Sequence, residues 1–173
     1  MNIYLTAASV LVAGLVIIPY LLPSSKTVTR QAVIDAPSDT VYALVSSNEG
    51  YQTFNPYKAK DPDLKITLSG PEHGVGSSFA FDGKEGKGSQ TITSLTENKS
   101  VTMQIDLGAM GQPICTFDLE AIGANQTRVT WSTRSDFGMT PIGRVFGLFL
   151  DGMLGPDYEL GLKLLGKAAT TNS

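Results

Sequence analysis

Residues 101–135 read VTMQIDLGAMGQPICTFDLEAIGANQTRVTWSTRS, and their alternation decides the architecture. Val101, Met103, Ile105 and Leu107 fall on one side of an extended chain, with Thr102, Gln104 and Asp106 on the other. Cys115, Phe117, Leu119 and Ala121 alternate in the same way with Thr116, Asp118 and Glu120, and Val129 and Trp131 with Arg128, Thr130 and Ser132. Strands with one apolar and one polar side belong to an antiparallel sheet covered on one face only. Working back, strands are expected at 64–69, 76–82, 88–95, 101–107, 113–122 and 127–135. Between them lie turn formers such as Asp82-Gly83, Asn98-Lys99 and Gly123-Ala124-Asn125. The β-branched run Thr27–Ile34 adds one more strand.

The cover is expected downstream. Thr140 is placed as an N-cap and Pro141 as a first helical residue. Ile142, Val145, Phe146, Phe149, Leu150 and Met153 recur at helical spacing, so they predict the face that closes over the sheet. Gly155-Pro156-Asp157 is expected to interrupt this helix before Tyr158, Leu162 and Leu165 resume the apolar face. Upstream, Pro37 opens a short helix through Val41, Leu44 and Val45, and Tyr51–Tyr57 reads as an aromatic loop. The fold class is α+β: a curved antiparallel sheet of about six to seven strands wrapped around a long C-terminal helix.

The 173 residues suffice for one domain with a real core. They divide into an anchor and linker at 1–25 and the α+β domain at 26–173. Between Ile3 and Leu22 there is no charge, and eleven positions are Leu, Ile or Val. Twenty helical residues span about 30 Å, the thickness of a bilayer's hydrocarbon core. Eleven such residues favour insertion by roughly 5 kcal/mol in total. Tyr4 and Tyr20 stand near the ends, where aromatic rings prefer the headgroup level. A cleaved signal is the competing reading, but no basic residue precedes the run and no Ala-x-Ala follows it. Residues 3–22 therefore predict a single-pass membrane protein. Lys26 and Arg30, which follow the span, place the domain in the cytoplasm.

A net charge of -3 with scattered basic residues gives no surface for nucleic acid. The single cysteine, Cys115, and single histidine, His73, exclude disulfides and multi-cysteine or two-histidine metal sites. His73 sits in a turn-rich loop without an identifiable partner, and Cys115 alternates onto the apolar side. Asp118 and Glu120 are expected to pair across strands with Arg128 and Arg134. No catalytic residue and no cofactor is assigned.

The string Ile34-Asp-Ala-Pro37 with its Val-x-Ala-Leu-Val helix resembles the opening of the polyketide-cyclase/dehydrase-like branch of the SRPBCC superfamily. That superfamily also holds the START lipid-transfer domains and the birch-pollen allergens. The resemblance continues through Tyr51–Tyr57, Asp61-Pro-Asp63, Ser69-Gly-Pro-Glu72, Thr127-Arg-Val-Thr-Trp131 and Gly143–Asp151, to Gly155-Pro-Asp157. It implies a helix-grip fold with a cavity between sheet and C-terminal helix that takes hydrophobic ligands. On that basis Phe54, Phe79, Phe81, Met103, Ile105, Phe117, Trp131, Phe149 and Met153 are the candidate ligand-binding residues. The expected partner is a hydrophobic small molecule or lipid. Two other functions stay open: a cyclase or dehydratase acting on an apolar substrate, and a protein-interaction module.

Overall fold

The alternating segments pair as their polarity predicts. In the computed structural model, which describes residues 18–171, they form a seven-stranded sheet in the order β1-β7-β6-β5-β4-β3-β2. The strands are β1 (Ser25–Ile34), β2 (Lys65–Ser69), β3 (Ser78–Gly83), β4 (Gly86–Thr96), β5 (Ser100–Asp106), β6 (Ile114–Gly123) and β7 (Gln126–Asp136). Every pairing is antiparallel. β2 to β7 form a meander, whereas β1 pairs with β7, so the first strand lies beside the last. β1 starts at Ser25, inside the expected linker, because its pairing with Asp136 extends the ladder to that residue.

Register carries the apolar sets onto one face. Met103 stands opposite Cys115, and Phe117 is flanked by Val101 and Trp131. On the outer face Glu120 stands opposite Arg128 and binds it, as expected. Asp118 faces Thr130, and Arg134 faces Ile114, so the second expected ion pair does not form.

Three short helices cross from β1 to β2: α1 (Ser38–Val45), α2 (Asn48–Phe54) and α3 (Pro56–Lys60). The expected aromatic loop at 51–57 is therefore helical. Ser47 Oγ accepts from Gly50 N–H at 2.9 Å and Asn55 Oδ1 from Tyr57 N–H at 3.0 Å, so α2 and α3 each start on a side-chain cap, whereas α1 follows Pro37 without one.

The C-terminal segment is split, but not where the glycine and proline predicted. α4 (Pro141–Gly147) ends before Leu148, and α5 (Leu150–Thr171) runs unbroken through Pro156. Thr140 precedes α4 without making a side-chain cap. Gly155 is not a break: a Cβ there would overlap the Arg30 guanidinium, which lies between β1 and α5. α5 packs chiefly along β1, and α1, α2 and α3 pack against it. The α+β architecture with a long C-terminal helix is the helix-grip arrangement.

The face Ile142–Met153 does not close over the sheet. Ile142, Phe149 and Met153 are 82%, 61% and 53% exposed, and only Leu150 of that series is buried. The reason is a glycine stripe. Gly143 and Gly147 lie against the Phe137 ring, so α4 turns its smallest residues inward and its large apolar side chains outward. Among the described residues no helix is long and apolar enough to cross a membrane. Most of the span expected at 3–22 lies outside the described residues.

Candidate ligand-binding site

The inner face of the sheet is a series of cross-strand rows. One row runs Val28, Thr133, Cys115, Met103, Ile92, and the next Arg30, Trp131, Phe117, Val101. On the β2–β5 side, Ile105, Gln90, Phe79 and Leu68 form a row, followed by Gly88, Phe81 and Ile66. The two sides differ in what covers them.

Over β5–β7 the face is packed shut by aromatic rings. Trp131 stacks on Tyr158 of α5 with centroids 4.4 Å apart, and Phe117 tilts against it at 4.6 Å. Phe54 meets both Phe117 and Trp131 edge-on. Phe54, Met103 and Phe117 are wholly inaccessible to water. Tyr51 is the divider: it stacks on Phe79 at 5.5 Å and meets Phe54 and Trp131 edge-on.

Beyond that ring the cover thins. Phe81, Ile105 and Ile66 are only partly buried, and Leu68 is 50% exposed. Gly88 stands directly across from Phe81, and a Cβ on it would come within 2.8 Å of Phe81 Cζ and 3.3 Å of Leu107 Cδ2. The missing side chain leaves that ring its place. The result is an apolar surface on β2–β5 that is continuous with the core yet reachable from solvent.

Buried Asn48 Oδ1 and Gln52 Nε2 have no hydrogen-bond partner, whereas the polar groups around Trp131 and Gln90 are paired. Trp131 Nε1 donates to Cys115 Sγ at 3.1 Å, and Gln90 Nε2 donates to Met103 Sδ at 3.0 Å. Burial pushes the Cys115 thiol up to about 11, against hydrogen bonds from Thr133 and Trp131. Burial likewise raises the phenols of Tyr51, Tyr57 and Tyr158 well above their ordinary value. At neutral pH these are neutral hydroxyl and thiol groups.

Apart from Arg30, which binds Asp151 and Glu159 between β1 and α5, charge near the inner face lies at the rim. Lys60 Nζ bridges Glu85 at 2.6 Å and Asp157 at 2.9 Å, tying α3 to the β3–β4 turn and to α5. The two carboxylates, Glu85 first, hold its pKa above the usual lysine value. Lys60 also lies 5.7 Å over the Tyr57 ring. The Asp61 carboxylate takes the Lys84 N–H at 2.9 Å, which holds its pKa below the usual range and fixes the same turn. Asp61-Pro-Asp63 is thus a loop brace. Among the described residues no group of three or more His, Cys, Asp or Glu is disposed to hold a metal ion.

Of the expected site residues, Phe54, Phe79, Phe81, Met103, Ile105, Phe117 and Trp131 share the inner face or pack on it. Phe149 and Met153 do not join them, because the α4–α5 break turns them outward. His73 is 65% exposed at the side chain, beside Glu72. Four contributors were missed. Ile66 and Leu68 were legible as one side of a strand. Gln90 was legible only as a polar residue in an apolar register. For Tyr158 the sequence shows only its place on an apolar helix face.

A family model described as polyketide cyclase / dehydrase and lipid transport matches residues 25–170. Among solved structures, norcoclaurine synthase from Thalictrum flavum in complex with dopamine and hydroxybenzaldehyde is similar with a TM-score of 0.68 at 14% identity. That match covers 91% of this chain and 93% of the other. A solution structure from Thermobifida fusca has a TM-score of 0.64 at 17% identity, covering 83% and 92%. At these identities the likeness is one of fold. No curated protein matches the sequence.

Proposed function

The chain belongs to the polyketide cyclase / dehydrase and lipid transport family, and from that premise we propose that it binds an apolar small molecule or lipid on the inner face of β2–β5 and carries it without chemistry. The observation that carries this reading is the half-open apolar surface at Phe81, Ile105, Ile66 and Leu68, continuous with a closed aromatic core. Burying about 200 Å² of apolar ligand surface there contributes roughly 5 kcal/mol at ~25 cal/mol per Å². The cost of immobilising the ligand is subtracted from this. Longer ligands displace Tyr51 from Phe79, and Met103, unbranched and polarizable, adapts to what enters.

The apolar run at 3–22 is taken as the tether, with the domain on the cytoplasmic side following Lys26 and Arg30. Tethering raises the effective concentration of the domain at its lipid source, so modest affinity suffices. The test is a titration of the full chain with a fluorescent fatty-acid analogue, read by energy transfer from Trp131, the sole tryptophan. Saturable transfer that Phe81→Asp abolishes supports the proposal. Transfer that never saturates, or is indifferent to Phe81, contradicts it.

A further inference from the structure

The α4 region presents an apolar surface that the domain does not use. Met139, Ile142, Phe146, Leu148, Phe149 and Met153 are all exposed. Single exposed apolar residues are ordinary, but six within fifteen positions around one short helix form a patch, and such patches mark contact surfaces. The glycine stripe makes this arrangement rigid rather than accidental. Gly147 sits so close to Phe137 that a Cβ would come within 2.6 Å of its ring, and Gly143 within 3.2 Å of its Cβ. The helix cannot roll its large side chains inward without displacing that ring.

The same helix holds the start of the described chain. The Arg144 guanidinium donates to the carbonyls of Tyr20 at 2.6 Å and Leu22 at 3.1 Å, and to that of Gly138 at 2.8 Å. Phe137 N–H donates to the Ser24 carbonyl at 2.7 Å. The exposed side chains of Ile18 and Leu21 therefore emerge beside α4, and in the sequence an uncharged run precedes them.

We infer that the outward face of α4, with Phe149 and Met153, docks into the headgroup–acyl boundary of a lipid bilayer at the point where the tether enters it. The inference rests on the tether reading, and it adds a second contact that fixes the orientation of the domain on the membrane. A tether alone lets the domain swing, whereas a tether pinned by Arg144 beside an inserted apolar helix holds one face to the lipid. The neighbouring charges are already engaged, Arg144 with backbone carbonyls and Asp151 with Arg30. Docking is therefore by apolar insertion rather than by attraction to anionic lipid, and zwitterionic phosphatidylcholine suffices.

The test uses the full chain carrying Ile142→Cys with an environment-sensitive fluorophore, mixed with phosphatidylcholine vesicles that contain a spin-labelled quenching lipid. Cys115 is buried and does not compete for the label. A label at Asn125→Cys is the reference: it lies in the turn beyond the far end of β7, roughly 40 Å along the strand from Phe137 at ~3.3 Å per residue. Expected is a blue shift and lipid quenching at position 142 and neither at 125, with Met139→Cys reporting the same should Ile142→Cys fold poorly. Flotation of the protein with a water-exposed, unquenched label at 142 overturns docking and leaves the tether intact. Failure to float overturns both. A blue shift without lipid quenching means that protein covers the patch, and contradicts the inference.

Discussion

The Trp131 indole lies face to face with the Tyr158 ring, with 4.4 Å between centroids and 8° between planes. Tyr158 comes from α5 and Trp131 from β7, so this stack is where the long helix meets the sheet. It is possible because Gly161, on the same helix, leaves room: a Cβ there would overlap the edge of the indole. Stacked aromatics add about 0.5–1.5 kcal/mol beyond the area they bury. The pair also reports on the state of the core, since the chain has no other tryptophan.

Gly161→Val is expected to force the helix away from Trp131. The substitution should cost about 1–3 kcal/mol, the usual scale of overpacking. The measurement is a urea unfolding curve followed by tryptophan emission, in which the native emission is also red-shifted. An unchanged midpoint and spectrum would mean that α5 does not pack where described.

Tyr51→Ala removes the ring that separates the open surface from the closed core. It should lower stability by about 3–5 kcal/mol, as for other large aromatic truncations. It should also extend the range of ligands toward longer chains, because the space over Phe79 becomes continuous with that over Trp131. Competition against the fluorescent analogue with acyl chains of increasing length reads this directly.

Arg30 clamps α5 to β1 by hydrogen bonds to Asp151 at 3.0 Å and Glu159 at 2.8 Å. The Arg30 hydrogen bonds hold the Asp151 carboxyl below its ordinary value. A lowered native pKa means that this contribution is present above about pH 4 and is lost as pH falls through the native value. Arg30→Met should therefore be less stable than wild type at neutral pH, with the difference shrinking under acid. Parallel melting curves across that range check the sign. A difference that grows as pH falls would contradict the clamp.

The alkaline side follows from the interior. Cys115 is pushed up to about 11, and Tyr51, Tyr57 and Tyr158 are raised as well. The native state then holds protons that the unfolded chain releases. Stability is full below the ordinary thiol and phenol values and declines as pH rises through about 9 to 11. Cys115→Ala should lessen the first part of that decline. At neutral pH the thiol should react with alkylating reagents only as fast as the domain opens.

Much of this architecture was legible in the residues. The six expected strands of the meander fall within three residues of those found at each end, because one wet and one buried face impose a period of two that turns and glycines punctuate. The α4 face was misread for a definite reason. A helical apolar period says that one stripe is apolar, not what covers it, and Gly143 with Gly147 four residues on was the overlooked sign of which side lies inward. Local propensity predicts a break at Gly155-Pro156, whereas the space that Arg30 requires explains the glycine. The caps Ser47 and Asn55 marked α2 and α3, but the aromatic run between them masked the signal. Core and site could not be separated from sequence, since a ring that fills a core and one that lines a ligand surface alternate alike.

The central claim is that the domain carries an apolar molecule on the β2–β5 face. It is tested most directly by purifying the full chain and Phe81→Asp side by side and identifying co-purifying small molecules by mass spectrometry. The account predicts a single acyl, isoprenoid or other apolar compound, near one per chain in the wild type and depleted in Phe81→Asp. Wild-type protein that is folded, stable and empty, or a compound retained equally by both, would contradict it.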